Sequence, residues 1–237
     1  MSKLATTSFI WPKNIWENCK KLQNIVDEVA ILFFETDSSL KYTQKDLPLE
    51  LKNLELSYHV HLPLDLPWEE GYKTVFDLIC KLIEKVSFLD PKGFVFHPPS
   101  SREDLIRFLD LWEKNIPYPI FLENIKECDL ISVWDIIENS FAKVCVDVGH
   151  IIEFKQYELL KSPNLWEKTK MLHIYAPTSN GHGSLKLLKK EEEKLVREIL
   201  YKALDSDPSI TVVLEVFSFS DLKESLDIFH RWIRNKL

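Results

Sequence analysis

The sequence predicts a single (β/α)8 TIM barrel spanning residues 1–237, and three observations carry that prediction. Short runs rich in β-branched and aromatic residues alternate with longer helical stretches along the whole chain, the pattern of parallel strands joined by crossover helices. There are about eight such runs, the number that closes a barrel. A chain of 237 residues with 45% hydrophobic content can build one large core, but is short for two domains and a linker.

Taken in order, the strands are expected at residues 4–8, 29–34, 56–62, 94–97, 120–124, 144–148, 171–175 and 210–216. Between them apolar residues recur at helical spacing, as in Val75, Leu78, Ile79, Leu82 and Ile83, or Leu222, Leu226, Phe229 and Ile233. Ser101 with Asp104 three residues on, and Ser220 followed by Asp221 and Glu224, read as helix caps. Only 5 glycines occur and no low-complexity tract, so neither a linker nor a domain boundary is expected. No unit repeats another in sequence. The charge run 189–194 and the pair Lys20 and Lys21 read as solvated helix faces.

Composition limits the partners. With 30 Lys and Arg against 37 Asp and Glu, the net charge of −7 repels a polyanion, so a small molecule is expected in place of nucleic acid. Cys19, Cys80, Cys128 and Cys145 form no CxxC pair and are expected as reduced, mostly buried thiols. No apolar stretch approaches the roughly 18 residues of a membrane span, and the N-terminus lacks a basic-then-apolar secretion pattern. The expected location is the cytoplasm, with no membrane partner.

The informative pattern is what ends each strand. In order come Glu35, His59 with His61, His97, Glu123, Asp147 with His150, His173, and Glu215. All C-terminal strand ends of a barrel open on one rim, so residues distant in sequence converge there. Imidazole and carboxylate together suit zinc first, with manganese, cobalt or iron as alternatives. The donors are too many for one ion, and two or three ions sharing a bridging carboxylate is the economical arrangement. Metal pairs recur in phosphoester cleavage because they lower the pKa of a water and neutralise the displaced oxygen together.

Spacing adds detail. His59 and His61 are two apart, so on a strand both side chains share a face. Gly149 is read as allowing a tight turn that swings His150 over the rim. After His173 a turn-rich loop, 176–184, carries His182 between two glycines. His230 belongs to the last amphipathic helix and is assigned to structure. Trp112, Trp134 and Trp166 are assigned to packing, and Trp68 to the substrate mouth.

The run His61, His97, Glu123, Asp147, His150, His173, His182 and Glu215 resembles, in order and over essentially the whole chain, the metal ligands of the xylose-isomerase-like, endonuclease-IV-like (AP endonuclease family 2) barrels. The resemblance implies a first ion on His61, His97 and Glu123. It implies a second on Glu123, Asp147, His173 and Glu215, with Glu123 bridging, and a third on His150 and His182. The aspartate such sites carry two residues before the last histidine is Asn180 here, a weaker ligand.

The stretches HVHLPLDLPW (59–68), FHPP (96–99), LENI (122–125) and VDVGH (146–150) resemble the cobamide-remodeling phosphodiesterases. That implies metal-dependent hydrolysis of the nucleotide-loop phosphodiester of a B12-type corrinoid, giving cobinamide phosphate and the lower-ligand nucleoside. Glu123, Asp147 and Glu215 would be the catalytic carboxylates, with His59, Asn124 and Trp68 contacting substrate. Two other activities use the same barrel. An AP endonuclease would want basic loops that this acidic chain lacks, and a sugar isomerase or epimerase would want a paired glutamate base or a lysine, and no lysine stands at a strand end. A barrel that only binds a metal or corrinoid is a non-enzymatic alternative.

Overall fold

Eight parallel strands close into the expected barrel in the computed structural model, which describes residues 2–236. They are β1 (Lys3–Thr7), β2 (Glu28–Leu32), β3 (Ser57–His61), β4 (Phe94–Phe96), β5 (Ile120–Glu123), β6 (Lys143–Asp147), β7 (Thr169–Ile174) and β10 (Thr211–Leu214), which closes the ring between β7 and β1. Two further strands, β8 (Ala176–Thr178) and β9 (Gly181–Gly183), pair as an antiparallel hairpin. The helices are α1 (Ile15–Leu22), α2 (Thr36–Leu40), α3 (Tyr72–Val86), α4 (Arg102–Asn115), α5 (Trp134–Glu138), α6 (Val148–Phe154), α7 (Leu165–Lys168), α8 (Lys190–Ser206) and α9 (Phe219–Lys236).

Each expected strand is present, with bounds differing by up to two residues. β2 and β10 each end two residues before the expected C-terminal bound. Apolar patterning continues through Phe33 and Phe34, but β2 ends at Leu32, and Phe34 turns outward with 39% of its surface exposed. The helices bury the faces their spacing implies: Val75, Ile79, Leu82 and Ile83 of α3, and Leu222 and Phe229 of α9, lie in the core.

Ser101 caps α4, accepting from the Asp104 amide at 3.3 Å. For α9 the cap is Ser218, not Ser220. Its hydroxyl accepts from the Asp221 amide at 3.1 Å, and the helix has already begun at Phe219. The run at 189–194 opens α8 as a solvated face, with Lys189 paired to Glu192. Lys20 and Lys21 are exposed on α1.

All four cysteines are free, and Cys19, Cys128 and Cys145 are buried. Burial pushes the Cys19 and Cys145 thiols up to about 12, so both stay protonated at neutral pH. Among the described residues no helix is long and apolar enough to cross a membrane.

Strand pleating sets the barrel interior in layers. Ala5, Val95, Phe121, Cys145, Met171 and Val213 pack together as a closed plug. Alternate residues face the same side of a strand, so the residue two positions on from each plug residue points to the rim above it.

Candidate metal centre

That period of two builds the site. Val95 is followed by His97, Phe121 by Glu123, Cys145 by Asp147, Met171 by His173 and Val213 by Glu215. On β3 the same step leads from His59 to His61. Five neighbouring strands thus seat a ligand-type side chain directly above an apolar plug, and β3 seats His61 above a histidine. The parallel register sets Asp147 beside His173 on the adjoining strand, and Glu123 beside Cys145.

Glu123 stands at the centre, and its two oxygens face different partners. Oε2 lies 3.1 Å from His61 Nε2 and 3.3 Å from His97 Nε2. Oε1 lies 3.3 Å from His173 Nδ1 and 3.7 Å from His150 Nδ1. His173 Nδ1 is also 3.3 Å from Glu215 Oε2 and 3.8 Å from Asp147 Oδ2. Three groups of donors are close enough to share an ion: His61, His97 and Glu123; His61, His173 and Glu215; and Glu123, Asp147, His173 and Glu215.

The donor set fits divalent cations on three observations. Three histidines have Nδ1 engaged by a main-chain carbonyl: His61 by Leu62 at 2.9 Å, His150 by Asn124 at 2.9 Å and His182 by Glu215 at 3.0 Å. Each bond holds the proton on Nδ1 and leaves the Nε2 lone pair for a cation, the usual arrangement around metal-ligating imidazoles. Asp147 Oδ2 and both nitrogens of His173 are buried without a hydrogen-bond partner, a cost that a cation on the carboxylate oxygen and on the unprotonated ring nitrogen would offset.

The third observation is charge. Three buried carboxylates converge, and among the described residues no lysine or arginine lines the mouth. Burial pushes Asp147 well above the ordinary carboxylate range, and the Glu123 and Glu215 charges add to the rise. Burial opposes ionisation of Glu123 and Glu215 too, but His173 with His97 holds Glu123 well below that range, and His173 with His182 brings Glu215 to about 2.

All eight expected ligands gather at this one rim, though not equivalently. His150 and His182 have ring centroids 6.5 Å apart and belong to none of the three compact groups. Asn180 is exposed at the hairpin turn. The loop expected at 176–184 is largely this β8–β9 hairpin, which holds His182 with Nδ1 3.5 Å from Glu215 Oε2.

Gly149 does not make a turn. Asp147 ends β6 and caps α6, accepting from the His150 amide at 2.6 Å, so the helix starts at once and carries His150 in its first turn. The glycine is required because a Cβ there would lie 2.6 Å from Tyr175 Cε1, inside the ring's contact distance. Tyr175 in turn stacks on His182, centroids 3.6 Å apart and planes 8° from parallel.

Two of the expected substrate contacts lie elsewhere. His59 is fully buried, donating from Nδ1 to Glu28 Oε1 at 2.8 Å, so it is shut off from the mouth. Burial pushes His59 below its ordinary value. Burial alone would raise Glu28, but hydrogen bonds from His59 and Ser57 and the Lys3 charge bring it down to about 2.

Asn124 is buried and its amide is spent on structure. Its Nδ2 donates to the Asp147 carbonyl and to Gln156 Oε1, each at 2.9 Å, and its Oδ1 accepts from the Asp147 amide at 2.8 Å. Trp68 lies beside the mouth in an adjoining groove that shares His97 and Leu64 with it. Glu35 is exposed and accepts from Ser38, away from the cluster, and His230 sits on α9 as expected.

The mouth is a cavity of about 200 Å³ whose apolar wall of Leu32, Phe33, Phe34, Leu64 and Phe217 was not singled out in the sequence. Its one available signal was an apolar residue at or just past a strand end, where a purely structural chain would turn polar.

No family model matches the chain, and no curated protein matches it in sequence. Solved structures do. A D-tagatose 3-epimerase-like protein superposes with a TM-score of 0.75 at 19% identity, over 99% of this chain and 98% of that one. A xylose isomerase domain-containing protein from Salmonella typhimurium gives 0.67 at 10% identity, over 99% and 97%. The IolI protein, solved with a bound zinc atom, gives 0.62 at 13% identity, over 99% and 96%. At these identities the likeness establishes a shared (β/α)8 fold.

Proposed function

We propose that this chain is a metal-dependent phosphodiesterase that hydrolyses the nucleotide-loop phosphodiester of a B12-type corrinoid. The carrying observation is the division of Glu123: one oxygen faces His61 and His97, the other faces His173 and His150. A carboxylate placed so is suited to bridge two cations, one on His61, His97 and Glu123 and one on Glu123, Asp147, His173 and Glu215. When bound, such a pair lowers the pKa of a water and neutralises charge on the phosphate and the departing oxygen.

The chain's own residues supply position and an apolar wall. Asn124 clamps the main chain at Asp147, Asp147 caps α6 and so sets His150, and Tyr175 fixes the plane of His182. Phe34, Leu64 and Phe217 form an exposed apolar wall on one side of the mouth, a surface suited to a large, flat substrate. The corrinoid assignment draws on the short stretches at 59–68, 96–99, 122–125 and 146–150.

The names of the solved structures favour a second reading, a sugar isomerase or epimerase. One cation on Glu123, Asp147, His173 and Glu215 would polarise a carbonyl while two glutamates move the proton. One feature weighs for the phosphodiester: Glu123 stands between two donor groups, His61 with His97 and Asp147 with His173 and Glu215, of which a one-cation reaction would need a single group.

The test is incubation of the protein, loaded separately with zinc, manganese and cobalt, with an adenosylated cobamide and with a panel of ketoses, followed by mass spectrometry and sugar analysis. Release of the lower-ligand nucleoside, lost in Glu123→Gln, is the expected result. An intact cobamide alongside ketose epimerisation would replace this reading by the second.

A further inference from the structure

A phosphodiester joins two alcohol halves, and the centre opens on two sides of different chemistry. On one side stand Phe34 and Phe217. On the other, from His97 and Leu64, runs a groove of about 450 Å³ with Trp68, Pro98 and Pro99 along it and Glu69, Asp104 and Glu127 on its walls. Resting on the phosphodiesterase reading, we propose that this groove is the subsite for the departing alcohol, and that it takes a neutral or cationic nucleoside.

Shape and charge both point that way. Trp68 is half-buried and held edge-on by Phe96 and Phe108, at centroid distances of 5.7 and 5.5 Å, so its indole is a fixed wall for a flat heterocycle. Among the described residues no lysine or arginine lines the groove. Among the described residues none of its three carboxylates forms an ion pair, although many other surface carboxylates of this chain do. An anion placed here would meet uncompensated negative charge, whereas the ribose hydroxyls of a nucleoside would find acceptors. The phosphate is thereby confined to the metal centre, with His97 at the junction.

The chemistry balances without a co-reactant. Water adds its oxygen to phosphorus, the bond from phosphorus to the nucleoside oxygen breaks, and that oxygen takes up a proton. The nucleoside leaves as a neutral alcohol from an acidic groove, and the phosphate remains on the other product.

The test is calorimetric titration of a benzimidazole riboside, and of its 5′-phosphate, into the metal-free protein. Expected are saturable binding of the riboside, at least tenfold weaker binding of the phosphate, and at least tenfold loss of riboside affinity in Trp68→Ala and in the Glu69→Gln, Asp104→Asn, Glu127→Gln triple variant. The comparison of the two ligands needs no variant, so a variant that fails to fold leaves the test standing. No saturable riboside binding, or equal affinity for the phosphate, overturns the subsite.

Hydrolysis of bis(4-nitrophenyl) phosphate by the metal-loaded protein is measured in parallel. Diester cleavage without riboside binding removes the subsite and keeps the phosphodiesterase. Riboside binding without cleavage of any diester keeps the nucleoside site and removes the phosphodiesterase.

Discussion

Gly149→Ala should destabilise this protein, and should do so only while Tyr175 is present. The added methyl would sit 2.6 Å from Tyr175 Cε1, and that ring is fully buried and stacked on His182, so it cannot yield freely. Overpacking of this kind costs roughly 1–3 kcal/mol. Against it stands the better helix propensity of alanine, about 0.5–1 kcal/mol near the start of α6. The net expectation is a loss of about 1–2 kcal/mol.

Removing the ring reverses the sign. In a Tyr175→Ala background, itself costing about 3 kcal/mol as a buried aromatic truncation, the clash is gone and only propensity remains. Gly149→Ala should then stabilise by about 0.5–1 kcal/mol, an interaction energy near 2 kcal/mol across the cycle. Urea unfolding of the four chelated proteins measures this without contributions from metal binding. Equal destabilisation in both backgrounds would refute the argument that Tyr175 is what requires a glycine at 149.

His59→Leu should cost about 3–5 kcal/mol, because Glu28 would keep a buried charge while losing its donor, and should leave metal content unchanged. Glu28 is held at about 2 against an ordinary 4.5, so its contribution is fully present above pH 4.5 and is lost as pH falls through about 2. The stability gap between the unmodified protein and Glu28→Gln should therefore close on acidification, and a gap that persisted at pH 2 would contradict the assignment. Asn124→Ala should cost about 2–4 kcal/mol, since it strands the Asp147 main chain and Gln156. It should lower kcat more than it changes KM; the opposite split would return Asn124 to substrate contact.

The barrel was legible because parallel strands buried on both faces write themselves as apolar runs, and here each run ends in a residue type unusual for a core. His97, Glu123, Asp147, His173 and Glu215 are visible for that reason, each two positions beyond a plug residue. The same rule placed His59 on the face of His61, correctly, but could not say at what depth. His59 sits one layer lower, where the register aligns β3 with β2 and Glu28 receives it.

Asn124 is ambiguous in sequence for a related reason. A polar residue at a strand end looks the same whether it faces solvent or closes hydrogen bonds to the next strand. The hairpin at 176–183 hid behind turn-forming residues, and the role of Gly149 depends on a ring 26 positions away, which no local pattern reveals.

Glu123 is proposed to join two cation sites, and metal stoichiometry tests that most directly. The unmodified protein, equilibrated with zinc and freed of excess, should hold about two ions per chain by elemental analysis, as a shared carboxylate between two donor groups implies. His97→Ala should hold about one, because the group of His61, His97 and Glu123 loses a ligand while that of Glu123, Asp147, His173 and Glu215 stays whole. A single ion in the unmodified protein, undiminished in His97→Ala, would contradict the bridging role.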